Sequence, residues 1–407
     1  MKYSRRKFIS TGTALAFSGL AMHATSKTYS RQNASSLRVG IIGVGSRGTG
    51  LTKILLSLDQ VTLVACCDIQ PDHLDRAVAL TDNKAKKYTD YRKLLEDKDI
   101  DAVVIATPLY LHQPMAIDAL DAGKHVYLEK SMAYDIPQTI ELTRRVHNSG
   151  LVFLVGFQYR YFALYHKAKE IIEQNWLGKV THFECQYNRN SNWRFPVNDP
   201  KMERLVNWRM YKEYCGGPLS ELCAHQIDAV HFLTGQVPVK VVGSGGISYW
   251  KDGRETYDHI RTVYDYPDGI QSSVTSVLSN AYNGYCIRVL GDKATLEIQR
   301  DTAFLFAESV KNKQGTVDGV TGATLLARTQ GEAQELQFKE AGEKLPEPTI
   351  LALQDFVRCI AERRTPQSNA DTAYSATIAI HMGNEAAETE TVQRWKPEYN
   401  VSSVKGS

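Results

Sequence analysis

None of the seven cysteines of this 407-residue chain (Cys66, Cys67, Cys185, Cys215, Cys223, Cys286, Cys359) stands in a C-x-x-C pair, and their number is odd. That excludes closely spaced thiolate pairs and argues against a disulfide framework, so most are read as small buried apolar residues. The chain has no internal repeat and no low-complexity tract. No stretch after the N-terminal segment reaches about 18 apolar residues, which excludes a stable membrane span there. Acids are missing before Ala34, and the formal charge of +3 depends on that. It falls to −1 if cleavage after Ala24 removes Lys2, Arg5, Arg6 and Lys7, and to −3 if Lys27 and Arg31 go as well. A basic surface for nucleic acid is therefore not indicated.

What that terminus does have is S-R-R-K-F-I-S at Ser4 to Ser10, followed by the apolar stretch Ala14 to Met22. This is a twin-arginine export signature with an apolar region too short to anchor the chain. Residues 1–33 are expected to be an export signal and linker, cleaved near Ala24 or Ala34, and the protein to be periplasmic or otherwise exported.

The rest is organised around Leu37 to Gly48, L-R-V-G-I-I-G-V-G-S-R-G. Leu37, Val39, Ile41 and Ile42 have the β-branched, apolar character of a buried parallel strand. Gly43, Gly45 and Gly48 fit G-x-G-x-x-G: a tight turn, room for a pyrophosphate against bare backbone, and close helix packing. A helix from about Thr49 to Leu58 would aim its free N–H groups at the phosphates. A second strand, V-T-L-V-A-C-C-D, ends in Asp68, where a dinucleotide fold places the carboxylate that binds the adenosine ribose. Its charge would repel a 2′-phosphate, favouring NAD over NADP.

About 375 residues beyond the signal are too many for one ordinary core. From 37 to 156 apolar strands alternate with helices: Val61 to Asp68, a helix from Pro71, Ile100 to Pro108, a helix from Pro114 to Ala122, and Lys124 to Lys130. This predicts a Rossmann, doubly wound parallel sheet, an α/β fold with ligands beyond the carboxyl ends of its strands. Gly43 to Gly48, Asp68, Thr107, Pro108, Glu129 and Lys130 all fall there. From 157 to 350 alternating segments such as Val180 to Tyr187, Val239 to Ile247 and Ile260 to Tyr266 predict an α+β domain with a largely antiparallel open sheet. That open sheet is expected to join copies into a homo-oligomer. Lys311 to Gln337 reads as a loop, and 351–395 as a helical segment packing back on the core.

G-V-G-S-R-G, A-T-P-L-Y-L-H, D-A-G-K-H-V-Y-L-E-K, G-G-P-L-S-E-L-C-A-H-Q-I-D and H-M-G-N-E-A-A resemble, in order and spacing, the glucose-fructose oxidoreductase and inositol dehydrogenase (Gfo/Idh/MocA) family. The resemblance implies an enzyme that oxidises or reduces a sugar-like alcohol with bound NAD. It places Ser46, Arg47, His112 and Glu129 beside the cofactor with the glycines. It also implies that Lys130 and His225 line the site, with Glu221 beside them. Two positions depart from the pattern: Ser131 stands where proline is usual, and Glu221 where aspartate is.

The chemistry agrees independently. Removing hydride from a secondary alcohol needs a base for the hydroxyl proton, and histidine supplies one near neutral pH. Gly216, Gly217 and Pro218 announce a helix start, so Glu221, His225 and Asp228 would share one face, and one carboxylate could orient His225. Tyr159, Arg160, Trp193 and Arg209 are candidates for holding a carbohydrate, since aromatic faces stack on sugar C–H groups and guanidinium forks bind hydroxyls. Packing or ion pairing serves them equally well. Three other outcomes stay open: metal-assisted hydrolysis through Glu221, His225, Asp228 and His231; a cofactor-sensing protein without turnover; and a glycosidase that uses NAD through transient oxidation and elimination.

Overall fold

The computed structural model describes residues 36–308, 316–317, 320–321, 333–339 and 343–404. The proposed export segment and most of the Lys311 to Gln337 loop lie outside the described residues. Leu37–Ile42 (β1) buries its last four residues and pairs in parallel with Val61–Cys67 (β2) on one side and Ala102–Ile105 (β4) on the other. Lys86–Tyr88 (β3) extends the sheet beyond β2, and His125–Leu128 (β5) and Phe153–Val155 (β6) extend it beyond β4. The order β3-β2-β1-β4-β5-β6, parallel throughout, is the expected doubly wound sheet. Its helices are Ser46–Leu56 (α1), Pro71–Ala79 (α2), Tyr91–Glu96 (α3), His112–Asp121 (α4) and Ile136–Ser149 (α5).

α1 begins three residues earlier than expected. Gly45 is itself the N-cap, and Thr49 N already donates to Gly45 O at 2.8 Å, so the glycine loop runs straight into the first turn.

Among the described residues the second sheet has nine strands. Val180–Tyr187 (β7) lies at its centre, parallel to Gln271–Val277 (β10), and every other pairing is antiparallel. One flank runs β10, His259–Asp265 (β9), Lys240–Gly246 (β8) and the edge pair Gln393–Arg394; the other runs Tyr285–Gly291 (β11), Ala294–Ile298 (β12), Ala303–Ala307 (β13) and Gln334–Glu335. In β9 and β10 buried residues alternate with more accessible ones, the mark of a sheet covered on one face.

Ala163–Glu173 (α6) and Ala224–Thr234 (α7) pack together, and all ten residues from Ala224 to Leu233 are buried. The C-terminal helices return to both sheets. Pro348–Glu362 (α8) sets Phe356 edge-on to Tyr127 behind the parallel sheet, while Ala370–Thr389 (α9) lies against α5, α7, β8 and β9. All seven cysteines are free and buried. Among the described residues no helix is long and apolar enough to cross a membrane.

Candidate active site

The carboxyl ends of β1, β2, β4 and β5 converge on one edge. Gly43 turns the chain at φ +83°, and a Cβ there would stand 2.7 Å from Ala106 O. A Cβ on Gly48 would meet Gly43 O at 1.9 Å, so that glycine lets α1 close on the strand. Gly45 differs: its φ is −64° and an added Cβ would find only His73, at 3.7 Å. Packing does not require glycine there, whereas a ligand lying against the backbone does. No side chain caps α1, so its first N–H groups are open to an anion. Thr107 Oγ1 is buried at the same edge and has no partner among the described residues. A bare glycine, an uncapped helix and an orphaned hydroxyl fit a dinucleotide.

Asp68 closes the floor of this loop. Its carboxylate accepts from Val44 N at 2.8 Å and from Gln70 N at 2.9 Å, and is 9% exposed. Arg47 and Glu129 pair with each other at 2.8 Å, and Arg47 reaches Thr349 Oγ1 at 3.5 Å, tying α1 to β5 and α8. His112 is 2% exposed, its Nδ1 2.7 Å from Ser131 O and its Nε2 3.0 Å from Thr107 O. It thus joins the segments that carry Thr107 and Lys130. Burial pushes its pKa down against the pull of those carbonyls. Pro108 caps the short turn Leu109–Leu111 that leads into α4, and Ser46 opens α1.

Lys130 reaches across from β5 to the π-helical turn Leu219–Cys223, donating to Glu221 O at 2.9 Å and Ser220 O at 3.5 Å. An ammonium has three N–H groups, so one remains for a ligand. The Lys130–Ser131 peptide bond is cis. The Glu221 carboxylate accepts from Arg209 Nε at 3.0 Å. Burial raises its pKa, but the charges of Lys130 and Arg209 more than offset that and hold it below the usual carboxylate range.

His225 lies one turn on, 9% exposed, against Phe157 and Tyr159 at ring separations of 6.1 and 4.9 Å. Its Nδ1 is buried without a partner among the described residues, which leaves Nε2 as the nitrogen available to a substrate. Burial, then the cations Lys130 and Arg47, pushes its pKa well below the ordinary imidazole value, so the ring is neutral at physiological pH.

The expectation that Glu221 or Asp228 orients His225 is not met. Asp228 receives a two-pronged bond from Arg160, at 3.0 Å from Nε and 2.7 Å from Nη2, and both are buried. Arg160, 7% exposed, thus gives Nε and Nη2 to an ion pair inside the fold. Burial raises the Asp228 pKa while Arg160 opposes it. Glu221 stands inside the π turn that runs into α7, and its carboxylate is taken by Arg209 rather than by His225.

The other candidates divide. Tyr159 stacks on Tyr165, with centroids 5.2 Å apart and planes 6° apart, and joins His225. Arg209 lies 4.0 Å over the Trp208 ring and binds Glu221, so it borders the Lys130 side. Trp193 is half-buried at φ +62° in a turn held to the second N-W-R run: Asn207 bonds Phe195 N at 2.7 Å and Phe195 O at 3.0 Å. Sequence reasoning missed Phe157 and Tyr285. The first sits in the aromatic run that contains Tyr159; the second comes from a distant strand and left no local signal. Among the described residues no group of three or more His, Cys, Asp and Glu gathers as for a metal.

His231 is 6% exposed with both ring nitrogens buried and without a partner among the described residues, and burial, then Arg160, pushes its pKa to about 3. An unfolded histidine takes a proton near pH 6.5 that the folded one refuses. Stability therefore rises with pH between about 3 and 6.5 and is lost as pH falls through that window. At pH 4.5 the cost is about 3 kcal/mol for this residue. In urea unfolding, His231→Leu should narrow the stability difference between pH 7 and 4.5 by about that amount; an unchanged difference would show His231 protonated in the fold.

Comparison with known proteins matches residues 37–157 to the oxidoreductase family, NAD-binding Rossmann fold, and residues 165–297 to the GFO/IDH/MocA C-terminal domain. A glycosyl hydrolase family 109 protein of Shewanella pealeana is 27% identical over 276 residues, 64% of this chain and 59% of that protein's length. Levoglucosan dehydrogenase of Pseudarthrobacter phenanthrenivorans is 27% identical over 331 residues, 74% of this chain and 82% of that protein. The crystal structure of aldose-aldose oxidoreductase from Caulobacter crescentus superposes with a TM-score of 0.69 at 21% identity, covering 88% of this chain and all of that one.

Proposed function

Because the chain belongs to the Gfo/Idh/MocA family of oxidoreductases and carries an NAD-binding Rossmann domain, we propose that it acts on a secondary hydroxyl of a sugar or glycoside with a tightly held, recycled NAD. The observation that carries this reading is the meeting of Lys130 and a neutral, half-sealed His225 at the edge where the glycine loop opens. Bound NAD supplies the hydride acceptor. The Nε2 of His225 takes the hydroxyl proton, and burial with two nearby cations keeps it in the base form. The remaining N–H of Lys130 steadies the negative charge that grows on the same oxygen. Tyr159 offers a flat face for a sugar ring.

A glycosidase outcome shares this machinery, and the family 109 relative carries that name. Product masses from a panel of glycosides decide. A keto-sugar two hydrogens lighter supports net oxidation; free aglycone with no net redox change supports bond cleavage; neither product overturns the proposal. Export by the twin-arginine route belongs to the same reading, supported by Arg5 and Arg6 ahead of the apolar run. So does pairing of two copies through the open sheet, supported by its accessible face, where Arg288 bridges Glu184 and Glu297.

Preference for NAD over NADP follows from Asp68. Asparagine is the informative replacement, because its single oxygen keeps one of the two backbone bonds, to Val44 N or to Gln70 N, that alanine would release together. Asp68→Asn should move the ratio of NAD to NADP affinity toward NADP by about tenfold, measured by titration of cofactor-free protein. Equal affinities in the unaltered protein would remove the argument.

A further inference from the structure

Two guanidinium groups without a carboxylate partner among the described residues meet at one buried phenol. Arg189 donates from Nη2 to the Tyr187 hydroxyl at 3.0 Å, and Arg300 does so at 3.4 Å. Both arginines are exposed and Tyr187 is buried. Arg47, Arg160, Arg194, Arg209, Arg254 and Arg288 each hold an acid; Arg76, Arg261, Arg363 and Arg394 likewise lack one among the described residues, but none of these four bonds a hydroxyl shared with a second guanidinium. A hydroxyl oxygen that receives two N–H groups still has its own proton to give, and no acceptor for it stands among the described residues. Every spare group at this point is a donor and two are cations, which is the inventory of an anion site.

The cluster is joined to the candidate active site by aromatic contact. Tyr187 stands edge-on to Tyr285 at 5.3 Å, Tyr285 to Tyr159 at 5.5 Å, and Tyr159 faces His225 at 4.9 Å. The charges of both arginines reach the Tyr159 hydroxyl, where they partly offset the burial that lifts its pKa to about 12. Glu347 also acts on that hydroxyl, but its own carboxylate takes the Thr349 hydroxyl at 2.6 Å.

We propose that Tyr187, Arg189 and Arg300 form a subsite for an anionic group on the part of the substrate remote from the reacting carbon, so that the preferred substrates are acidic glycosides. This rests on the sugar oxidoreductase reading above and names its substrate class. A carboxylate and a phosphate ester present the same chemistry to this donor set.

Calorimetric titration of the purified full chain tests it with three probes: 4-nitrophenyl β-D-glucuronide, 4-nitrophenyl β-D-glucoside and glucose 6-phosphate. The glucuronide should bind at least about tenfold more tightly than the glucoside, with the margin shrinking as salt rises. Tighter glucose 6-phosphate than glucuronide would assign the subsite to phosphate esters. In Arg189→Gln/Arg300→Gln protein, and in Tyr187→Phe protein as a milder second variant, the ratio of anionic to neutral affinity should collapse toward one. Turnover is read separately as the kcat/KM ratio for the same pair, with the change expected in KM. Arginine-dependent binding without turnover would fail the oxidoreductase reading and leave the subsite standing. Equal affinity for glucoside and glucuronide, or binding of none of the probes, overturns the subsite.

Discussion

His225→Ala protein should turn over substrate roughly 10²–10⁴ times more slowly than the unaltered enzyme while still holding NAD, since positioned acid–base catalysis is typically worth that much. The cofactor edge is built from β1, β2, β4 and β5, none of which leans on this imidazole, so binding and chemistry should separate. The pH profile adds a sign. A base must be unprotonated to act, and burial, Lys130 and Arg47 together push the His225 pKa well below the ordinary value. The acid limb of kcat/KM should therefore lie below pH 6.5. Lys130→Ala removes one of those cations, so the His225 pKa rises and the limb moves to higher pH. A loss below about threefold for His225→Ala at every pH would put the base elsewhere, with Tyr159 the first candidate. A limb that stays put in Lys130→Ala would mean that another group titrates.

The elements legible in the sequence were those with a strong local signal. β7 runs over the expected residues Val180–Tyr187, and the glycine loop lies where its spacing puts it, because apolar alternation and glycine geometry are properties of a few consecutive residues. β3 and β6 are three residues each, too short for any period to register. The partners of the site were less legible than its members. Lys130, Glu221 and His225 were all named, but the bonds Arg209–Glu221 and Arg160–Asp228 span 12 and 68 positions, and which acid takes which arginine is decided only when the chain has folded. Glu221 also stands in a π turn, Leu219–Cys223, which no residue pattern announces, and its carboxylate goes to Arg209 instead of His225.

Purified, gel-filtered protein should emerge with close to one NAD per chain and turn over substrate with none added. An exported enzyme has no supply of free dinucleotide, and the twin-arginine route carries folded, loaded proteins. At an association rate of about 10⁶ M⁻¹s⁻¹, keeping the cofactor through hours of chromatography needs dissociation slower than about 10⁻⁴ s⁻¹, hence a Kd near 10⁻¹⁰ M, or about 14 kcal/mol. NAD has about 44 non-hydrogen atoms, and about 0.3 kcal/mol for each supplies about 13 kcal/mol, so the demand is within reach of a well-made site. Gly45 is the place to break it. A side chain there meets only His73, at 3.7 Å, and φ is −64°, so Gly45→Val should fold normally while its methyl groups take the room beside the bare backbone. Gly48→Ala cannot make that distinction, because its Cβ would fall 1.9 Å from Gly43 O and displace the helix. Mass spectrometry of the small molecules released on denaturation should find NAD from the unaltered protein and none from Gly45→Val, whose circular dichroism should match. If the unaltered protein emerges empty and works only with NAD in the buffer, the recycled cofactor is wrong, and the export reading loses its main chemical support with it.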